Sequence, residues 1–110
     1  MDKVVTIAER DAREAARRRS AADAIIAKLT AFAGSHGGRF LVFGSAAVDA
    51  MSSESDLDLV VDFPPDREGE AADLIEELSR AYDLPVDYYL RSLASERFLA
   101  RIANEAVTLS

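Results

Sequence analysis

From Thr6 to about Phe32 the chain has no glycine or proline and is rich in Ala, Arg and Glu, which predicts one long helix. Gly34 and the Gly37-Gly38 pair are expected to stop it. Its second half carries an apolar stripe, Ile25, Leu29 and Phe32 at i, i+4 and i+7, with Ala22 and Ile26 beside it. Its first half offers only alanines, so it packs lightly or projects outward. Phe40-Leu41-Val42-Phe43 is an uninterrupted apolar run, read as a buried strand ending at Gly44. Leu57, Leu59, Val61 and Phe63 alternate with Asp56, Asp58 and Asp62, the period of a strand with one apolar face. Pro64-Pro65 ends that strand, and Leu74, Ile75, Leu78, Ala81 and Tyr82 recur at helical spacing, predicting a helix from about Asp66 to Tyr82. Pro85 leads into a third strand, Val86 to Leu90, with Asp87 and Tyr89 facing away from Val86, Tyr88 and Leu90. Phe98, Leu99, Ile102 and Ala103 give a last helix starting near Ser95.

The connections decide the sheet. Only residues 44 to 56 separate the first two strands, marginal for a parallel crossover, so an antiparallel pair is expected. A helix-bearing stretch joins the second and third strands, which allows a right-handed parallel crossover. The fold class is therefore α/β of the α+β type, a small three-stranded mixed sheet flanked by helices with a long N-terminal helix. At 110 residues the chain is read as one domain, 1–110, with 1–21 as a helical extension.

Charge changes this picture where it is uneven. Of the 20 acids in a chain of net charge −7, 13 fall between residues 49 and 87, against Arg67 and Arg80 alone. That segment attracts cations and repels nucleic-acid phosphates, so direct nucleic-acid binding is not expected. Arg10, Arg13, Arg17, Arg18 and Arg19 crowd the first helix, where the plain reading is a solvated face with Glu9 and Arg13 paired at i,i+4. The chain has no cysteine, which removes disulfides, thiolate metal sites and cysteine nucleophiles, and no stretch approaches the roughly 18 apolar residues of a membrane span. The N-terminus also lacks the apolar region of a signal peptide, so a cytoplasmic protein is expected.

The candidate chemistry sits at the strand ends. Asp56 and Asp58, at i and i+2 of one strand, project from the same face about 6.6 Å apart along the chain. Asp87 on the third strand would join them. At about 5 Å and an effective dielectric near 20, each like-charge pair costs roughly 3 kcal/mol, so three carboxylates require a cation or a proton. Oxygen-only ligands suit Mg²⁺ or Mn²⁺, and two such ions can clamp the attacking and leaving oxygens of a phosphoryl transfer. Gly44 permits close backbone approach, and Ser45, opening a helix turn through Ala46 to Ala50, offers donors to phosphate oxygens.

Gly44-Ser45, ten intervening residues and Asp56-Leu57-Asp58 resemble the G-S-x10-D-x-D signature of minimal nucleotidyltransferases, within the DNA polymerase β-like nucleotidyltransferase superfamily. Ser55 before the acids and Leu59-Val60-Val61 after them match its usual surroundings, and the resemblance covers residues from about 22 to 110. It implies strand order 1-2-3, two divalent metals on Asp56, Asp58 and Asp87, and a nucleoside triphosphate, ATP, held partly by Gly44 and Ser45. Many members of this family are antitoxins of HEPN-domain ribonuclease toxins, and some transfer AMP to a toxin tyrosine. By that resemblance Asp87 is the base for the incoming hydroxyl. Relatives often carry G-S-x-A-R-G, whereas Ala47 here is followed by Val48 and Asp49. That departure opens a second reading, an inactive antitoxin that neutralises by binding. A third, transfer to a small molecule, is disfavoured because little chain remains to build its pocket.

Other polar residues have plainer readings. His36 is expected in an exposed glycine-rich loop, and Tyr88 in the core. Either Tyr88 or Tyr89 is placed to touch a base or ribose. Asp62, Asp66, Glu68 and Glu70 are explained as a solvated strand end and helix start.

Overall fold

The computed structural model describes residues 6–110; the first five residues of the expected 1–21 extension lie outside them. Helix α1 spans Ile7–His36, started by Thr6, whose hydroxyl accepts from the Glu9 amide at 3.1 Å. It runs through Gly34, four residues beyond the expected end at Phe32. One helical glycine costs about 1 kcal/mol, too little to break a helix whose last turn is otherwise anchored. His36 supplies that anchor by stacking on Phe32, with ring centroids 3.8 Å apart, so it is a helix residue and not a loop histidine. Gly37, at φ 71°, then ends the helix in the left-handed conformation.

Strand β1 (Arg39–Phe43) pairs antiparallel with β2 (Leu57–Asp62), and β2 pairs parallel with β3 (Val86–Leu90) across helix α2 (Glu68–Ala81). These are the pairings that the connection lengths require. Helix α3 (Glu96–Ile102) starts at Ser95, whose hydroxyl accepts from the Phe98 amide. A fourth strand, β4 (Val107–Leu109), pairs antiparallel with β1, so among the described residues the sheet has four strands in the order β3-β2-β1-β4. The expected three strands stand in the expected order. The fourth escaped because three residues with one buried side chain, Leu109, display no period.

One face of the sheet carries the core. Phe40, Leu57 and Leu59 are fully buried there against Ile25 and Leu29 of α1 and Ile75 of α2. Helix α1 lies over β1 and β4, and α2 lies over β2 and β3. The other face carries the odd-numbered positions of β1, the aspartates of β2, and Asp87 and Tyr89 of β3. Over part of it α3 lays Phe98 against Phe43 and Tyr89, with centroids 5.5 and 5.1 Å away. Burial in α1 begins only at Ala21, so its first half extends past the sheet. The resulting radius of gyration, 15.4 Å, exceeds the about 13 Å of a compact chain this long. Among the described residues, no helix is long and apolar enough to cross a membrane.

Candidate functional site

Parallel pairing sets Asp58 of β2 directly beside Asp87 of β3, and antiparallel pairing sets Asp58 opposite Phe43, the residue before Gly44. The two halves of the sequence motif therefore meet at one end of the sheet. Gly44 has φ 71°, and a Cβ there would run into the Asp58 carboxylate. Glycine is thus required twice, for the turn and for the close approach. The helix turn expected from Ser45 to Ala50 contracts to a 3-10 turn, Gly44–Ala46, closed by the Ala47 amide on the Gly44 carbonyl at 3.1 Å.

Asp58 is half-buried, and burial first, then Asp87, Asp56 and Glu105, push its carboxyl above its ordinary value. Each cause disfavours the anion, so this spot holds more negative charge than its surroundings neutralise. Asp56, one residue before β2, leans on Arg18, whose Nη1 is 3.5 Å from its Oδ1. Asp87 is exposed on the strand edge. Among the described residues, no group of three or more His, Asp or Glu side chains is drawn together as a finished metal cage. The donor chemistry nevertheless fits a hard divalent cation: the acids offer only oxygen, and Asp58 sits in uncompensated negative charge.

Two groups escape a reading of the motif alone. Glu105 lies in the turn after α3, where its Oε1 accepts from the Gly44 amide at 3.1 Å. The β1–β4 register, Val42 opposite Val107, carries Glu105 opposite Gly44, so recognising β4 would have revealed it. The second is the arginine cluster of α1, which is not simply a solvated face. Glu9 and Arg13 form no ion pair among the described residues; Glu14 instead pairs with Arg17 at 2.7 Å and Arg18 at 2.9 Å. Arg19 donates to the Ala46 carbonyl at 3.1 Å and stands 3.6 Å from Asp49, which otherwise points to solvent.

Three of the remaining acids, Asp62, Glu68 and Glu70, have structural partners. Asp62 pairs with Arg39 at 2.7 Å, Glu68 accepts from the Ser92 hydroxyl, and Glu70 stands 3.7 Å from His36. Tyr88 packs on the core with its hydroxyl 3.3 Å from Glu76, whereas Tyr89 lies on the acids' face, half exposed. A cavity of about 540 Å³ opens at the opposite end of the sheet, between Gly37, Gly38, Arg39, Asp62 and Phe63. Its charged pair is already mutually satisfied and no acid of the motif reaches it. The acid end itself is an open surface.

A family model described as nucleotidyltransferase domain matches residues 24–109, from the middle of α1 through β4. No curated protein matches the chain.

Proposed function

The chain belongs to the nucleotidyltransferase domain family, and from that premise we propose that it is the antitoxin of a HEPN-type ribonuclease toxin, transferring AMP from ATP to a toxin tyrosine. The observation that carries the reading is the side-by-side register of Asp58 and Asp87, with Gly44 folded against the Asp58 carboxylate. Asp56, Asp58 and Asp87 would hold Mg²⁺, or Mn²⁺, which when bound would supply positive charge against the triphosphate and the leaving pyrophosphate. Gly44 and Ser45 flank the phosphates, the glycine because no side chain intervenes between its backbone and the acids. The tyrosine oxygen attacks the α-phosphorus, the bond to the bridging oxygen of pyrophosphate breaks, and the tyrosine proton passes to the Asp87 carboxylate. The exposure of Asp87 at the open end of the sheet supports an acceptor as large as a protein.

Glu105 favours a second reading. Its carboxylate already takes the Gly44 amide, and Val48 and Asp49 stand where relatives bring arginine and glycine. On that reading the domain neutralises its partner by contact alone. Incubation with labelled ATP, Mg²⁺ and a HEPN-type partner separates the two. Label on a partner tyrosine, lost in Asp58→Asn and Asp87→Asn, supports transfer. Neutralisation without label, unaffected by those substitutions, supports contact alone.

A further inference from the structure

Arg17, Arg18 and Arg19 are consecutive, and all lie before residue 24, where the family match begins. Successive helix residues are turned by about 100°, so three in a row fan over about 200° and reach separate targets. In α1 each finds a different segment. Arg17 donates to the carbonyls of Tyr82, at 3.3 Å, and Asp83, at 3.0 Å, in the turn that leads into β3 and Asp87. Arg18 donates to the Ser55 carbonyl at 2.9 Å and approaches Asp56 Oδ1 at 3.5 Å, at the start of β2. Arg19 donates to the Ala46 carbonyl at 3.1 Å, directly after Gly44-Ser45. These are the three segments that bear the candidate site residues.

The guanidinium groups are themselves aimed. Glu14 grips Arg17 through Nε and Nη2, at 2.7 and 3.1 Å, and Arg18 through Nε at 2.9 Å, while Asp23 holds Arg19 at 2.9 Å. Exposed ion pairs of this kind contribute little to stability. Their distribution is what carries meaning: one arginine per segment, with Arg18 the most enclosed at 18% side-chain exposure.

We propose that Arg17, Arg18 and Arg19 are positioning residues that clamp the three site-bearing segments to one helix, with Arg18 orienting the Asp56 carboxylate. This rests on the reading of the acids as a metal and nucleotide site. Its first test needs no ligand. Amide hydrogen exchange on the full chain reads Asp83 and Leu84 for Arg17→Ala, Ser55 and Leu57 for Arg18→Ala, and Ala47 and Ala50 for Arg19→Ala. Each variant should speed exchange about tenfold at its own segment while β1 stays protected. Alanine favours helix, so α1 persists, and glutamine variants serve where an alanine variant unfolds.

The second test is Mn²⁺ binding by electron paramagnetic resonance, where Arg18→Ala should weaken binding threefold or more. Arg18→Lys should not rescue it, because an ammonium lacks the planar fork that holds Glu14 through Nε while Nη1 reaches the Ser55 carbonyl and Asp56. Wild-type binding in all three alanine variants, tighter binding in Arg18→Ala, or weaker binding with unchanged exchange each overturns the clamp. Wild-type protein that takes no Mn²⁺ overturns the metal site itself, and the clamp's purpose with it.

Discussion

Gly44 and Asp58 are bound to each other's identity. A side chain at 44 meets the Asp58 carboxylate and also faces a left-handed backbone, so Gly44→Ala should destabilise the protein by roughly 1–3 kcal/mol in urea unfolding. Asp58 has the opposite relation to stability. Its carboxyl is raised by burial, Asp87, Asp56 and Glu105, so folding favours its protonated form, and its charge opposes folding once pH exceeds the ordinary carboxylate value near 3.8. Asp58→Asn should therefore raise the melting temperature at pH 7 by a few degrees while removing nucleotidyl transfer. A fall in melting temperature would contradict the charge argument. Of these residue-scale facts, the acids and the Gly-Ser pair were legible in sequence, because strand alternation and spacing are local. Glu105 was not, since its place at the Gly44 amide depends on a pairing between chain segments some sixty residues apart.

Among the elements, α1 does the most unexpected work. Its arginines read as a solvated face because a helical pattern reports what lies on the same helix, not which loops end beside it. Glu14 is the hub, and hydrogen bonds from Arg17 and Arg18 hold its carboxyl down at about 2. Its contribution to stability is present above the unfolded-state value near 4.5 and is lost as pH falls toward 2. Because these pairs are exposed the effect is small: Glu14→Gln should melt only slightly below wild type at pH 6, with the gap closing toward pH 2, as followed by circular dichroism. The short β4 is a second element whose importance its pattern conceals. Leu109 is its buried residue, and Leu109→Ala should cost about 2–4 kcal/mol in denaturant unfolding. A helical stripe, an unbroken apolar run and strand alternation announced α2, β1, β2 and β3; three residues at an edge could not.

At the scale of the whole molecule, the sheet separates a sealed face under α1 and α2 from an open face that bears the acids and the Phe43, Tyr89 and Phe98 cluster. Tyr89→Ala should leave the core intact yet weaken any partner or nucleotide seated there, measurable by calorimetry against wild type. The mixed topology was readable from loop lengths, since thirteen residues favour a hairpin-like return and a helix-bearing stretch permits a crossover. The antiparallel β1–β2 pair lies at the centre of the sheet and is close in sequence, whereas β3 and β4 are added at its edges from farther along the chain. Contacts of larger sequence separation carry a larger closure cost and form later. Asp58 gains Asp87 only when β3 docks, and Gly44 meets Glu105 only when the last strand closes beside β1. A chain in which β3 and β4 have not yet paired thus carries the motif without the arrangement, and the docking of these two edge strands is the step that completes it.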